Sequence, residues 1–116
     1  MTSTDAPPEA DNCVFLRGRL ADEPVLRELP SGDLLATFRL TVDRRPGGRV
    51  KVDSIDCVST RVRVHRSVVA AAPGDRLEIR GSLQRRFWRS PAGPTSRYAV
   101  DVTTVRVLRP GRRDAG

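Results

Sequence analysis

The sequence predicts an all-β domain carrying one short helix. Apolar and polar residues alternate at period two over five separate stretches. Between the third and fourth stretches the spacing becomes helical. Two glycines, Gly18 and Gly81, fall inside strand patterns, where a strongly bent sheet or a close backbone approach is expected. The chain has 116 residues. That is the size of one domain, able to bury one ordinary core without disulfide or metal staples.

Residues 1–11 are rich in Pro, Ser/Thr and acids and are expected to be disordered. The ordered domain is expected over 12–109, followed by a loose tail, "PGRRDAG", over 110–116. "NCVFLRGRL" places Val14, Leu16, Gly18 and Leu20 on one side and Phe15, Arg17 and Arg19 on the other. "EPVLREL" is a short extended piece, closed by the turn "PSGD". "LLATFRLTVDR" turns Ala36, Phe38, Leu40 and Val42 inward. A flexible "RPGGR" loop leads to "VKVDSIDCVST", with Ile55 and Cys57 inward. "RVRVHRSVVAAA" groups Val62, His65, Val69 and Ala72 on one helical face with Val68 beside it, and "PGD" marks its end.

"RLEIRGSLQRRFW" returns to alternation. Leu77, Ile79, Gly81 and Leu83 point inward, and Phe87 continues that series into the core. Trp88 shares the outward series with Arg80 and Arg86. "SPAGPTS" reads as a second flexible loop. In "RYAVDVTTVRVLR" the phase shifts near Thr103–Thr104, where a bulge would return both valine pairs to the core. Three strands, a helix and two strands is the order of a five-stranded OB-fold, a small Greek-key barrel.

The net charge is +7, carried by twenty Arg and one Lys. Such an excess points to an anionic partner, nucleic acid first. An Arg-rich composition is also what a GC-rich genome produces. No apolar run approaches the ~20 residues of a membrane span. "MTSTDAPPEAD" has neither the basic nor the apolar region of a signal peptide. A cytoplasmic, nucleoid-associated location follows as the expectation. Cys13, Cys57 and His65 have no zinc-type spacing, so no metal is expected and both thiols are read as reduced. His65 lies on the apolar side of the helix segment, where a packed imidazole is the plain reading. Ser59, Ser67 and Asp56 near it in sequence do not compose a triad. There is no GxxxxGK loop. Neither an enzyme nor a cofactor is expected.

The quoted segments resemble the bacterial single-stranded DNA-binding proteins from about Asn12 to Leu108. The specific pieces are Asn12, "L.GRL..EP.LR..PSG" (Leu16 to Gly32) and "GD.L.I.G.L..R.W" (Gly74 to Trp88). The resemblance implies an OB-fold homo-oligomer, a tetramer or a dimer, that binds single-stranded DNA without sequence choice in replication, recombination or repair. It also implies aromatic side chains at Ser54, Thr60 and about Pro46, where this chain has none. The family's acidic tail for recruiting partner proteins is not expected, because the chain ends "GRRDAG". The whole looks like a divergent, short paralogue.

Trp88 with Arg86 is the leading candidate site, since a base can stack on indole while guanidinium meets phosphate. Arg44, Arg45, Arg49 and Lys51 bracket the "PGG" loop and resemble the family's DNA-gripping hairpin. Arg39, Arg80 and Tyr98 are weaker candidates. Phe15, outward on a candidate edge strand, suggests pairing with a second copy. The competing reading is an OB-fold protein-interaction module that has lost most of its stacking face.

Overall fold

The structure is a computed structural model describing residues 11–44 and 51–109, the side chains of 88, 89 and 109 excepted. The expected terminal tails (all but residue 11), Arg45, Pro46, Arg49 and the Trp88 side chain lie outside the described residues. Among the described residues six strands and a helix follow in chain order: β1 Val14–Leu20, β2 Val25–Glu28, β3 Leu34–Asp43, β4 Val52–Ser59, α1 Val62–Ala70, β5 Arg76–Ser90 and β6 Gly93–Arg109.

The ladder runs β1-β5-β6-β4-β3-β2, and β1 returns to pair with β3 at Arg19↔Thr41 and Leu20↔Leu40. That second pairing closes five strands into a barrel, with β4 and β6 meeting in parallel at Cys57↔Val100. β2 is the "EPVLREL" piece, hydrogen-bonded to β3 as a short hairpin outside the ring. The expected all-β Greek-key barrel with one helix is therefore the observed fold. Closure uses up edges that an open sheet would leave bare.

The alternation predicts the core well where strands face the barrel axis. Leu20, Phe38, Leu40, Cys57, Leu77, Ile79, Val100 and Val102 are buried together, with Val14, Leu16, Val42, Ile55 and Val105 packed against them. The expected bulge is present, but of the second valine pair it returns only Val105 to the core, and Val107 stays exposed. Arg80 pairs with Thr104 and Gly81 with Val102, leaving Thr103 extra on β6. Gly18 and Gly81 sit where backbones nearly touch. A Cβ on Gly18 would overlap the Thr41 carbonyl oxygen, and one on Gly81 that of Asp101.

The helix differs from the expected face. Val64, His65 and Val68 are buried, while Val62 and Val69 are exposed. A helix that plugs one end of a barrel presents a narrow stripe, and the first residue of the expected stripe falls in its opening turn. Ser59 ties that end down. Its Oγ donates to the Val102 carbonyl at 2.8 Å and accepts from the Arg61 N–H at 3.1 Å. His65 Nε2 lies 2.8 Å from the Ser59 carbonyl oxygen, so the imidazole is a packed tie in the barrel plug. At the other end the Ala72 N–H donates to Asp75 Oδ2 at 2.9 Å. Gly74, at φ 96°, sends its N–H to the Leu20 carbonyl, joining the helix exit to β1.

Two further expectations are corrected. "SPAGPTS" is mostly strand: β5 runs to Ser90 and β6 begins at Gly93, leaving Pro91 and Ala92 as the turn. The positive φ of 115° at Gly93 makes so tight a reversal possible. Phe87 is not in the core but 71% exposed. Past the Leu83↔Val100 and Gln84↔Ala99 pairs, whose β6 members are still buried, the β5–β6 hairpin runs beyond the barrel, and Phe87 and Tyr98 there are exposed. Leu83, in the same phase, is exposed as well, although its cross-strand partner Val100 is buried.

Candidate nucleic-acid interface

Outside the barrel, the strands β3, β4 and β6 present a second face. Cross-strand register puts Thr37 opposite Val58, Arg39 opposite Asp56, and Val58 beside Asp101. β2 adds Val25 opposite Thr37, and β5 adds Gln84 and Arg86 opposite Ala99 and Arg97. The result is a groove of about 610 Å³. Its apolar floor includes Val58 and Ala99, both buried, and its walls carry Arg27, Arg39, Arg86 and Arg97 together with Asp22, Glu23 and Asp56.

The arginines are not equivalent. Arg39 Nη2 donates to Asp22 Oδ2 at 2.8 Å, and Arg97 Nη1 to Asp56 Oδ2 at 2.8 Å. Arg27 and Arg86 meet no carboxylate among the described residues, so their charge is open to an incoming anion. Guanidinium groups above an apolar floor match the two halves of a nucleotide, one taking phosphate and the other the base.

Of the sequence candidates, Arg39 and Arg86 are brought together in this groove. Trp88 follows Arg86 by two positions in β5 and pairs with Thr95 through its backbone. Arg44, at the end of β3, holds Asp53 through two bonds, Nη2 to Oδ1 at 2.7 Å and Nε to Oδ2 at 3.3 Å. That pair raises the Arg44 pKa and holds the Asp53 carboxyl below the usual range, in each case mainly through the hydrogen bond. The Arg44 N–H also donates to the Lys51 carbonyl at 2.7 Å, closing the base of the hairpin on which Arg45 and Arg49 fall. Lys51 is exposed.

Arg80 is elsewhere: its guanidinium stacks over the Phe15 ring at 4.4 Å, on the β1–β5 side. Tyr98 is exposed on the hairpin face opposite to Arg86 and Arg97. Ser54 and Thr60 are exposed and offer no ring. Sequence reasoning did not single out Arg27, Arg97 or Phe87 as groove residues. Arg97 becomes visible only once "SPAGPTS" is seen as strand, because the hairpin register then sets it opposite Arg86.

Asn12, part of the specific sequence pattern, extends the ladder by side chain. Its Nδ2 donates to the Leu83 carbonyl and its Oδ1 accepts from the Leu83 N–H, both at 2.8 Å. No helix among the described residues is long and apolar enough to cross a membrane. No group of metal-binding side chains forms among them either.

The fold and the sequence match known proteins. The model of the single-strand binding protein family matches residues 11–109. Single-stranded DNA-binding protein A of Bacillus subtilis is 34% identical over 85 residues, covering 71% of this chain and 49% of its own. Single-stranded DNA-binding protein B of the same organism is 28% identical over 108 residues, covering 89% of this chain and 95% of its own. The chain thus spans about half the length of the first of these. Among solved structures, a Plasmodium falciparum SSB in complex with ssDNA superposes with a TM-score of 0.73 at 23% identity, covering 89% of this chain and 99% of that one. A small single-stranded DNA-binding protein from Streptomyces coelicolor superposes with a TM-score of 0.66 at 18% identity. Both likenesses bear on the fold.

Proposed function

The chain belongs to the single-strand binding protein family, and from that premise we propose that it binds single-stranded DNA without sequence choice, in replication, recombination or repair. The groove lined by Arg27, Arg39, Arg86 and Arg97 above Val58 and Ala99 is the observation that carries the reading. Phosphates meet the guanidinium groups and bases lie on the apolar floor. Trp88, two residues beyond Arg86, supplies the indole on which a base stacks. Arg44, Arg45, Arg49 and Lys51 form a cationic arm at the hairpin between β3 and β4. Arg80 and Tyr98, lying away from the groove, extend the contact surface on the neighbouring faces. Binding rather than catalysis is the activity, at the nucleoid in the cytoplasm.

Self-association completes the proposal. β1 pairs with β5 over Val14–Arg19 but with β3 only at Arg19 and Leu20. Its remaining edge, with half-exposed Phe15, offers backbone groups to a second β1. The protein-interaction reading rests on Ser54 and Thr60. The open charge of Arg27 and Arg86 weighs against it.

Trp88 emission against oligo-dT tests the proposal, with duplex DNA as control at low and moderate salt. Saturable quenching by the single strand is the expected result. Trp88→Ala is expected to cost about 1–3 kcal/mol of binding, the worth of one stacked base. Trp88→Phe should recover part of it. An unquenched indole and an unweakened Trp88→Ala protein would shift the reading to protein interaction.

A further inference from the structure

We propose that the face of the β5–β6 hairpin opposite to Arg86 and Arg97 is a second base-stacking platform, built from Phe87, Arg85 and Tyr98, onto which a single strand continues from the groove. The inference rests on the reading of the protein as a single-strand binder and names an additional site for it.

Register sets Arg85 opposite Tyr98 and Phe87 opposite Ser96, so all four share one face. The Arg85 guanidinium stands 5.4 Å from the Phe87 ring centre and 5.5 Å from that of Tyr98. Arg85 Nε donates to Ser96 Oγ at 3.2 Å, which holds the side chain between the rings without neutralising it. Among the described residues Arg85 meets no carboxylate, unlike Arg39, Arg44 and Arg97.

Phe87 is 71% exposed and Tyr98 58%. Two rings so exposed in a chain with three Phe, one Tyr and one Trp are an expensive use of its aromatics. Their exposure follows from the hairpin's projection beyond the barrel. Ring faces with a cation between them accept a base by stacking, whatever its identity. The occupant is fixed by charge and by continuity. An uncompensated guanidinium on a chain of net charge +7 suits an anionic strand, and Phe87 also lines the groove. The backbone at Arg86–Phe87 is thus the rim where the groove gives way to the hairpin. A strand leaving Arg86 meets Phe87 next.

Affinities of the full chain for an oligo-dT of about 16 nucleotides, the upper site size of one OB-fold, and for an abasic oligomer of equal length test this. Phe87→Ala is expected to weaken oligo-dT binding by about 5- to 150-fold, the equivalent of one lost stack. It should leave the abasic affinity and the unfolding temperature nearly as they were. Phe87→Trp should restore binding. Arg85→Gln should weaken both oligomers and lower the salt slope by about 0.7. Equal loss on both oligomers for Phe87→Ala, or no loss on either, overturns the platform while leaving the groove reading intact. If Phe87→Ala instead lowers the oligomeric state in sedimentation, the face is a contact between copies and the platform is likewise overturned. If the parent protein binds neither oligomer while remaining folded, the platform falls together with the reading beneath it.

Discussion

Cys57 and Cys13 show how far a residue's chemistry is set by its surroundings. Cys57 is buried in the barrel, and desolvation, with Asp56 adding to it, pushes its thiol from the ordinary 9.0 up to about 12. Cys13 is exposed, and its Sγ donates to Asp11 Oδ1 at 3.3 Å, which raises its pKa too. Reaction with a thiol reagent near pH 8 is therefore expected to modify Cys13, slowly, and to reach Cys57 only on unfolding. Two equally fast thiols in the folded protein would contradict the burial. The same shift carries a pH dependence. Between 9 and about 12 the unfolded chain has lost a Cys57 proton that the folded chain keeps. Stability from this group is thus complete below 9 and declines as pH rises through that window. A Cys57→Ala protein, though less stable throughout, should lose that part of the alkaline decline, measured by denaturant unfolding at a series of pH values.

The elements differ in how they are held. α1 opens at Arg61 without a side-chain cap and has no acid in its first turn, so propensity alone would not sustain it. Burial of Val64 and Val68 and the Ser59 ties do. β3 and β4 carry the groove's charge balance, and there the acids compete with any phosphate. Asp22 occupies Arg39 in the free protein, as Asp56 occupies Arg97. Asp22→Asn is expected to free Arg39, raise single-strand affinity at low salt and steepen the log–log salt slope by about 0.7, one further phosphate contact. Filter binding across a salt series reads both. An unchanged slope would mean that Arg39 does not meet the strand. Exposed pairs of this kind contribute little to folding, so stability should hardly move.

For the whole molecule, closure through the short β1–β3 pairing leaves β1 unpaired on one side along Val14–Gly18, where the Phe15 ring lies under the guanidinium groups of Arg17 and Arg80. An edge that is half apolar is expected to pair. Light scattering at micromolar concentration should give a multiple of 12.8 kDa. A proline at Arg17, which removes an N–H from the edge strand, should lower that multiple, provided unfolding curves show the barrel intact. A monomer at every concentration would exclude the β1 contact.

The order of strands, the position of the helix, the inward residues of β1 and β3, the bulge at Thr103 and the close approaches at Gly18 and Gly81 were all determined by the sequence itself. Each is a local pattern whose period or break is written along a single strand. Arg86 and Arg39 were legible as candidates from outward phase and charge. Their meeting in one groove with Arg97 was decided only by the tertiary structure, because it depends on register between β3, β4 and a hairpin whose Pro- and Gly-rich turn imitates a loop. The same holds for Phe87. Alternation says which residues share a face, but only the assembled barrel says where that face stops being covered. Beyond the Gln84↔Ala99 pair the hairpin outruns the barrel, and a phase that buries Leu77 and Ile79 leaves Phe87 in solvent.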